Sequence, residues 1–343
     1  MKMTPYWWED APPKPCEMIE IPGSVDVAVI GGGYTGLCAA LVLARGGASV
    51  MLYEAGEMGC GASTRNGGMV GPSFHKLGIA GLKNKFGVAR ADAILRESIG
   101  FVDYLENFIT TEGIDAEFKR TGRFRGALRP DHFDAMAREL EILQESIGVE
   151  GALVAKADQH EESGSPRFHG GIVLDRDGGL HPAKYHDGLV RRVREAGVMI
   201  AAETAVTQIE KTTAGYILKS ARGDIKVGQV AVCTNGYTGP VTQELRRRVI
   251  PLRSSMIATE PLDPALMKQL MPKGRVYGDS RRVVAYYRPS PDGSRILFGG
   301  RAARFKDVPA ANLRTLRSFM LEIYPQLADV ATDHVWSGLV AYT

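Results

Sequence analysis

The sequence predicts an α/β fold: a Rossmann-like nucleotide-binding domain built from discontinuous segments, and a second domain rich in antiparallel sheet. Three observations carry this. Residues 26–36 read as an apolar strand, a G-x-G-x-x-G turn and the start of a small-residue helix through Leu37, Ala40, Leu41 and Leu43. A second strand over 48–53 ends on Glu54, about 20 residues past the glycines, the usual place for a ribose-binding carboxylate. From Ile250 onward the pattern alternates as β, with strands expected over 253–259, 283–288 and 296–300.

In chain order, residues 1–24 form an N-terminal extension rich in Trp, Pro and acidic groups. In the glycine turn, Gly31 permits the tight bend, Gly33 lets a pyrophosphate approach the backbone, and Gly36 lets helix and sheet pack closely. The N–H groups of Tyr34 and Thr35 then open a helix whose positive end favours phosphate. A glycine-rich loop over 59–68 follows Glu54. Two helical stretches come next, the longer over 88–111 with Phe101, Val102, Leu105, Phe108 and Ile109 on one face. A strand is expected over 118–128, an amphipathic helix over 130–145 and a polar linker over 161–166.

His181-Pro182 opens a helix to about 196, with His181 a cap rather than a base. Strands follow over 198–201, 205–210, 216–220 and 225–233, and a late helix over 309–324. Segments 25–85 and 151–240 are assigned to nucleotide binding, 86–150 and 241–310 to the second domain, and 311–343 to the start of a further nucleotide-binding segment.

The 343 residues exceed one ordinary compact domain. A net charge of +3 makes no electrostatic case for nucleic acid, and the basic runs at 191–194 and 246–248 are short, with Glu195 and Glu244 alongside. The four cysteines, Cys16, Cys38, Cys60 and Cys233, lie far apart with no C-x-x-C, so neither a metal site nor a disulfide framework is indicated. No run is long and apolar enough to span a bilayer and no signal peptide is evident, so a cytoplasmic protein is expected.

With residues 61–68 (Gly-Ala-Ser-Thr-Arg-Asn-Gly-Gly) in place, the chain resembles the FAD-dependent amine and D-amino-acid oxidase superfamily. Matching segments recur at 181–185, 233–237, 256–261, 297–300 and 335–339, so the likeness runs from Asp26 to Thr343. The resemblance implies that Gly33, Tyr34 and Thr35 face the FAD pyrophosphate and Glu54 the adenosine ribose. It implies that Ala62, Ser63, Arg65, Asn66, Gly67 and Gly68 run beside the pyrophosphate, ribityl chain and flavin ring. It further implies that the backbone of Val206 meets the adenine, and that Asn235 and Gly236 end the strand beneath the cofactor. Arg65 could also be a surface arginine and Val206 a core strand residue. Tyr287 is the first substrate-side candidate, because it aligns with a substrate-facing tyrosine of the glycine oxidase branch. Tyr286 is the alternate, since adjacent strand residues point to opposite faces.

Two departures from the family pattern bear on chemistry. Val340 stands where the glycine oxidase branch has an arginine that clamps the substrate carboxylate, and valine cannot replace a bidentate pair. Ser337-Gly338 stands where sarcosine oxidases link FAD through cysteine, so noncovalent FAD is expected. The family also continues through an Asp-x-x-Pro-x-Ile-Gly-like stretch and a last helix, whereas this chain stops at Thr343; a fragment of a longer product is expected. The implied activity is oxidation of a C–N bond in a small-molecule amine or amino-acid derivative of the γ-glutamylputrescine type, with dioxygen or another electron acceptor. Alternatives are a glycine, D-amino-acid or sarcosine-type oxidase, a flavin-dependent oxidase of tRNA nucleosides, and a flavin-free binding protein that keeps the fold.

Overall fold

A computed structural model describes residues 1–72, 77–301 and 307–343. In chain order the regular elements begin with β1 Ser24–Ile30, α1 Tyr34–Arg45, β2 Val50–Tyr53 and β3 Met69–Val70. Next come α2 Gly78–Phe86, α3 Val88–Thr111, β4 Arg123–Gly126, α4 Pro130–Ile147, β5 Gly151–Val154, β6 Gly171–Leu174 and β7 Gly178–Gly179. Then follow α5 Pro182–Glu195, β8 Met199–Ala201, β9 Val206–Thr212, β10 Gly215–Ser220, β11 Gly223–Val232, α6 Gln243–Arg246 and β12 Ile250–Thr259. The last are α7 Pro264–Leu270, β13 Val276–Asp279, β14 Ala285–Pro289, β15 Ile296–Gly300, α8 Pro309–Ile323 and β16 Thr332–Tyr342.

Two sheets organise these elements. The first has the order β8-β2-β1-β11-β10-β9. Its β8, β2, β1 and β11 are parallel, and β11, β10 and β9 form an antiparallel meander. Strands buried on both faces must be apolar throughout, and Val50, Met51, Leu52 and Tyr53 of β2 are all buried. Helices α1 and α5 pack beneath through Leu37, Ala40, Leu41, Leu189 and Val193. The second sheet has the order β16-β12-β15-β14-β13-β4-β6-β5, antiparallel except for the parallel pair of β13 with β4. Its core face meets α8 through Ile257, Tyr287, Phe298, Val335, Leu316, Met320 and Ile323. The two-stranded pair β3–β7 lies between these sheets in the sequence, following the glycine-rich loop.

The sequence periodicities locate most elements to within a few residues. Three differences have physical reasons. Residues 161–166 are no solvated linker: Glu162, Ser163 and Ser165 are buried. Glu162 receives Lys273 Nζ at 2.6 Å and Arg275 Nε at 2.7 Å, and Ser165 Oγ donates to the Ile323 carbonyl. Polar composition signals exposure only where no distant partner arrives. β5 and β6, although they fall in the 151–240 stretch assigned to nucleotide binding, complete the eight-stranded sheet, as does β16 of the 311–343 stretch at the far edge. The expected strand over 118–128 shortens to the four residues of β4.

The N-terminal extension is likewise no loose tail. Tyr6, Trp7 and Ala11 are buried with Met256, Ala258, Leu297 and Trp336 on the face of the large sheet opposite α8. Trp7→Ala should cost about 3–5 kcal/mol of folding stability, as expected for emptying a buried indole site. Urea unfolding followed by fluorescence of the remaining tryptophans checks this; a loss under about 1 kcal/mol would mean that the segment does not hold this position.

Candidate active site

The carboxyl ends of β1 and β2 meet the turn before α1, the crevice where open parallel sheets take ligands. Gly31 adopts φ +110°, and a Cβ there would lie 2.6 Å from the Cys233 carbonyl oxygen. A Cβ on Gly36 would fall on the Gly31 carbonyl oxygen, so turn and helix come as close as backbones allow. α1 starts at Gly33 without a side-chain cap, leaving its first N–H groups directed outward except for Tyr34 N, which donates to Ser63 Oγ at 3.0 Å. Glu54 accepts from Gly32 N at 2.8 Å and from Gly56 N at 3.1 Å, fixing its carboxylate at the rim of the turn. Thr204 N bonds back to the Glu54 carbonyl, setting the start of β9 beside it. Val206 itself is buried among Val25, Met51 and Val227, so only its backbone is free to meet a ligand.

The 62–68 loop is held from several directions. Trp7 Nε1 donates to the Asn66 carbonyl and Trp336 Nε1 to the Arg65 carbonyl, both at 2.8 Å. Trp8 Nε1 donates to Thr64 Oγ1 at 2.9 Å. Arg65 donates from Nε to the Cys60 carbonyl at 2.8 Å and from Nη1 to the Ser337 carbonyl at 3.2 Å, with its guanidinium 4.5 Å from the Trp8 ring centre. Burial holds its pKa below the usual arginine value. It is therefore a clamp between the loop, β16 and the N-terminal segment rather than a surface side chain. Arg288 Nη1 donates to the Gly68 and Leu180 carbonyls, both at 2.9 Å. Burial brings the Arg288 pKa down to about 10.

Asn235, at φ +46°, follows β11 and accepts from Ala341 N at 2.8 Å through Oδ1. Gly236 packs against Leu339, where a Cβ would lie 3.0 Å from the Leu339 side chain. His181 is the N-cap of α5, its Nδ1 accepting from Lys184 N.

Strand alternation separates the two tyrosines. Tyr287 is fully buried on the α8 side, stacked on Tyr277 at 5.4 Å and on Phe298 at 5.2 Å between ring centres. The expectation that it faces substrate is corrected: a side chain sealed in the core cannot touch one. Tyr286 points the other way. Its ring lies over Gly67, where a Cβ would come within 2.9 Å of Cε2, and its hydroxyl is 2.9 Å from Ser254 Oγ. Burial raises its pKa, and the Ser254 hydrogen bond offsets part of that rise.

Beside Tyr286 opens a cavity of about 710 Å³. Asn66, Gly67, Met69 and Gly71 form one wall, and Arg123, Arg125 and Ile172 of the large sheet form another. Most of its charges are paired. Arg125 binds Glu139 at 3.0 Å, Arg176 binds Asp103, and Arg123 Nε lies 2.8 Å from Asp177 Oδ2. Val340, by contrast, is 49% exposed on β16, opposite Leu252 of β12.

Residues 26–343 match the family described as DAO, FAD dependent oxidoreductase. The chain belongs to that family. Its turn without Cβ atoms, uncapped helix start and fixed Glu54 suit a dinucleotide such as FAD, the family's cofactor. The probable oxidoreductase OrdL of Rhizobium meliloti is 35% identical over 98% of this chain and 79% of its own length. The γ-glutamylputrescine oxidoreductase of Escherichia coli is 31% identical over 91% of this chain and 73% of its own length. Among solved structures, glycine oxidase from Geobacillus kaustophilus superposes with a TM-score of 0.74 at 20% identity, covering 94% of this chain and 84% of that one. That last likeness is one of fold. The protein is an FAD-dependent oxidoreductase of the DAO family.

Sequence reasoning missed two groups here. The tryptophans that brace the loop were visible only as an adjacent pair in the extension. The Arg123–Asp177 pair carried no motif of its own, since Arg123 comes from β4 and Asp177 from the approach to β7. Gly36→Ala should abolish FAD binding, because its methyl would displace the Gly31 carbonyl; flavin absorbance per mole of purified variant measures this, and wild-type flavin content would contradict the turn geometry.

Proposed function

We propose that this oxidoreductase oxidises the C–N bond of an extended amine, whose charged or carboxylate end lies far from the reacting carbon, as in γ-glutamylputrescine. The observation that carries the proposal is the cavity of about 710 Å³, lined by Tyr286 and Gly67 together with arginines and carboxylates; Val340, which by sequence stands in place of a carboxylate-clamping arginine, supports it. FAD, when bound, supplies the hydride-accepting N5 and passes electrons to dioxygen or another acceptor. The chain's own residues orient and desolvate. Tyr286, fixed by Ser254, walls the reacting end, and the Gly67 backbone beneath it leaves room for close approach. The Arg125–Glu139 and Arg176–Asp103 pairs give a polar tail a place without requiring a fixed arginine clamp at the α-carbon. The similarity to γ-glutamylputrescine oxidoreductase supports the same substrate class.

Arg288 is an unsuitable substitute clamp, since its guanidinium is engaged with the Gly68, Leu180 and Pro289 carbonyls. Losing an arginine–carboxylate pair costs on the order of 2–5 kcal/mol, so glycine, sarcosine and D-alanine should reduce the flavin at least about 30-fold less efficiently than the best extended amine. Anaerobic flavin bleaching across a panel of amines and amino acids measures this; a small amino acid that bleaches fastest defeats the proposal. We also propose that FAD is held without a covalent bond, because Ser337-Gly338 offers no thiol. Acid precipitation should leave the yellow colour in the supernatant, and colour in the pellet would show a linkage.

A further inference from the structure

Asp177 is 2% exposed, yet it lines the cavity. Its position is built by backbone contacts: Gly122 N donates to the Asp177 carbonyl, and β7 begins at the next residue. The carboxylate presses on Gly71 of the loop wall, where any Cβ would overlap it. Among the described residues its one ionic partner is Arg123, with Nε 2.8 Å from Oδ2, but neither atom makes a directed hydrogen bond. A buried carboxylate oxygen without a hydrogen-bond donor is costly, and such groups normally find one. Of the other described cations, Arg125 is committed to Glu139, Arg176 to Asp103, Arg281 to Asp279, Lys119 to the Pro291 carbonyl and Arg288 to the Gly68 and Leu180 carbonyls, and Arg282 is exposed. Among the described residues, then, a donor has to enter through the cavity.

We propose that Asp177 is the acceptor for the ammonium group of the substrate and takes its proton, delivering the neutral amine for oxidation. This rests on the amine-oxidation reading above. One N–H bond of the ammonium breaks as one O–H bond of the carboxyl group forms, so R–NH3⁺ and carboxylate become R–NH2 and carboxylic acid. The neutral amine keeps the lone pair that drives hydride loss from its α-carbon; the ammonium has none to give. Arg123, in charge contact with the same carboxylate, keeps part of Asp177 ionised while the site is empty. Burial raises the Asp177 pKa to about 6, against the opposing pull of Arg123. A carboxyl with that proton affinity exchanges protons readily near neutral pH. Only the ionised form attracts the ammonium, so binding strengthens as pH rises through about 6 and weakens below it.

The test uses the FAD-loaded enzyme and an amine that cannot be oxidised: N-acetylputrescine carrying two methyl groups on the amine-bearing carbon. Calorimetry should show about a tenfold gain in affinity for the wild type between pH 5 and pH 8, following the ionised fraction of a group with that pKa. Asp177→Asn, with wild-type flavin content, should bind at least about tenfold more weakly at pH 8 and lose the pH dependence, and Asp177→Glu should restore part of both. Wild-type binding that is flat from pH 5 to 8, or an Asn variant that binds as the wild type does, overturns the assignment. The wild-type pH series alone decides the matter if the Asn variant does not fold. Bleaching by oxidisable amines that is equal in wild type and Asp177→Asn also overturns it, while leaving amine oxidation intact. Absence of bleaching by every amine defeats amine oxidation itself.

Discussion

Three backbone carbonyls of the 62–68 loop, those of Arg65, Asn66 and Gly68, each held by a buried donor from a different part of the chain, are the constraint on which the site depends. Asn66 O receives Trp7, Arg65 O receives Trp336 and Gly68 O receives Arg288. The same loop reaches the α1 turn through Ser63 Oγ and Tyr34 N. A glycine-rich segment left to itself has high backbone entropy and no preferred path. Tying its carbonyls to an N-terminal segment, an edge strand and a central strand of the large sheet gives it one path, and gives both sheets one shared boundary. Both the turn before α1 and the cavity beside Tyr286 border this loop.

Arg288 shows how far this is carried. A buried guanidinium without a carboxylate partner is ordinarily expensive. Here its partners are peptide dipoles, which give it hydrogen bonds without adding a negative charge behind the flavin loop. The counter-charges lie instead on the cavity lining, where Glu139 and Asp177 sit on Arg125 and Arg123. The outcome is a cavity whose charged lining is nearly balanced.

The nucleotide-binding half was legible in the sequence because its signals are local: glycines at fixed spacing, an apolar strand on each side and a carboxylate after the second. Backbone geometry at Gly31 and Gly36 enforces that spacing. Helices α3, α4, α5 and α8 were readable from their periodicity for the same reason. The substrate side was not. Whether Tyr286 or Tyr287 faces the cavity turns on the register of β14 against β13 and β15, which a one-residue shift would invert. The burial of Glu162 depends on Lys273 and Arg275, more than a hundred residues distant. Trp7 and Trp8 gave only composition, because the surfaces they cover come from β12, β15, β16 and the loop.

If the loop is set by the protein and not by its cofactor, it must already be ordered when FAD is removed. Hydrogen–deuterium exchange on the FAD-free protein, with reloaded protein alongside, measures this directly. Amides over 62–68 should exchange far more slowly than an unstructured glycine-rich segment does, and reloading should slow them further together with those over 31–36. Exchange of the 62–68 amides at unstructured rates in the FAD-free protein, with protection appearing only on reloading, would contradict the account.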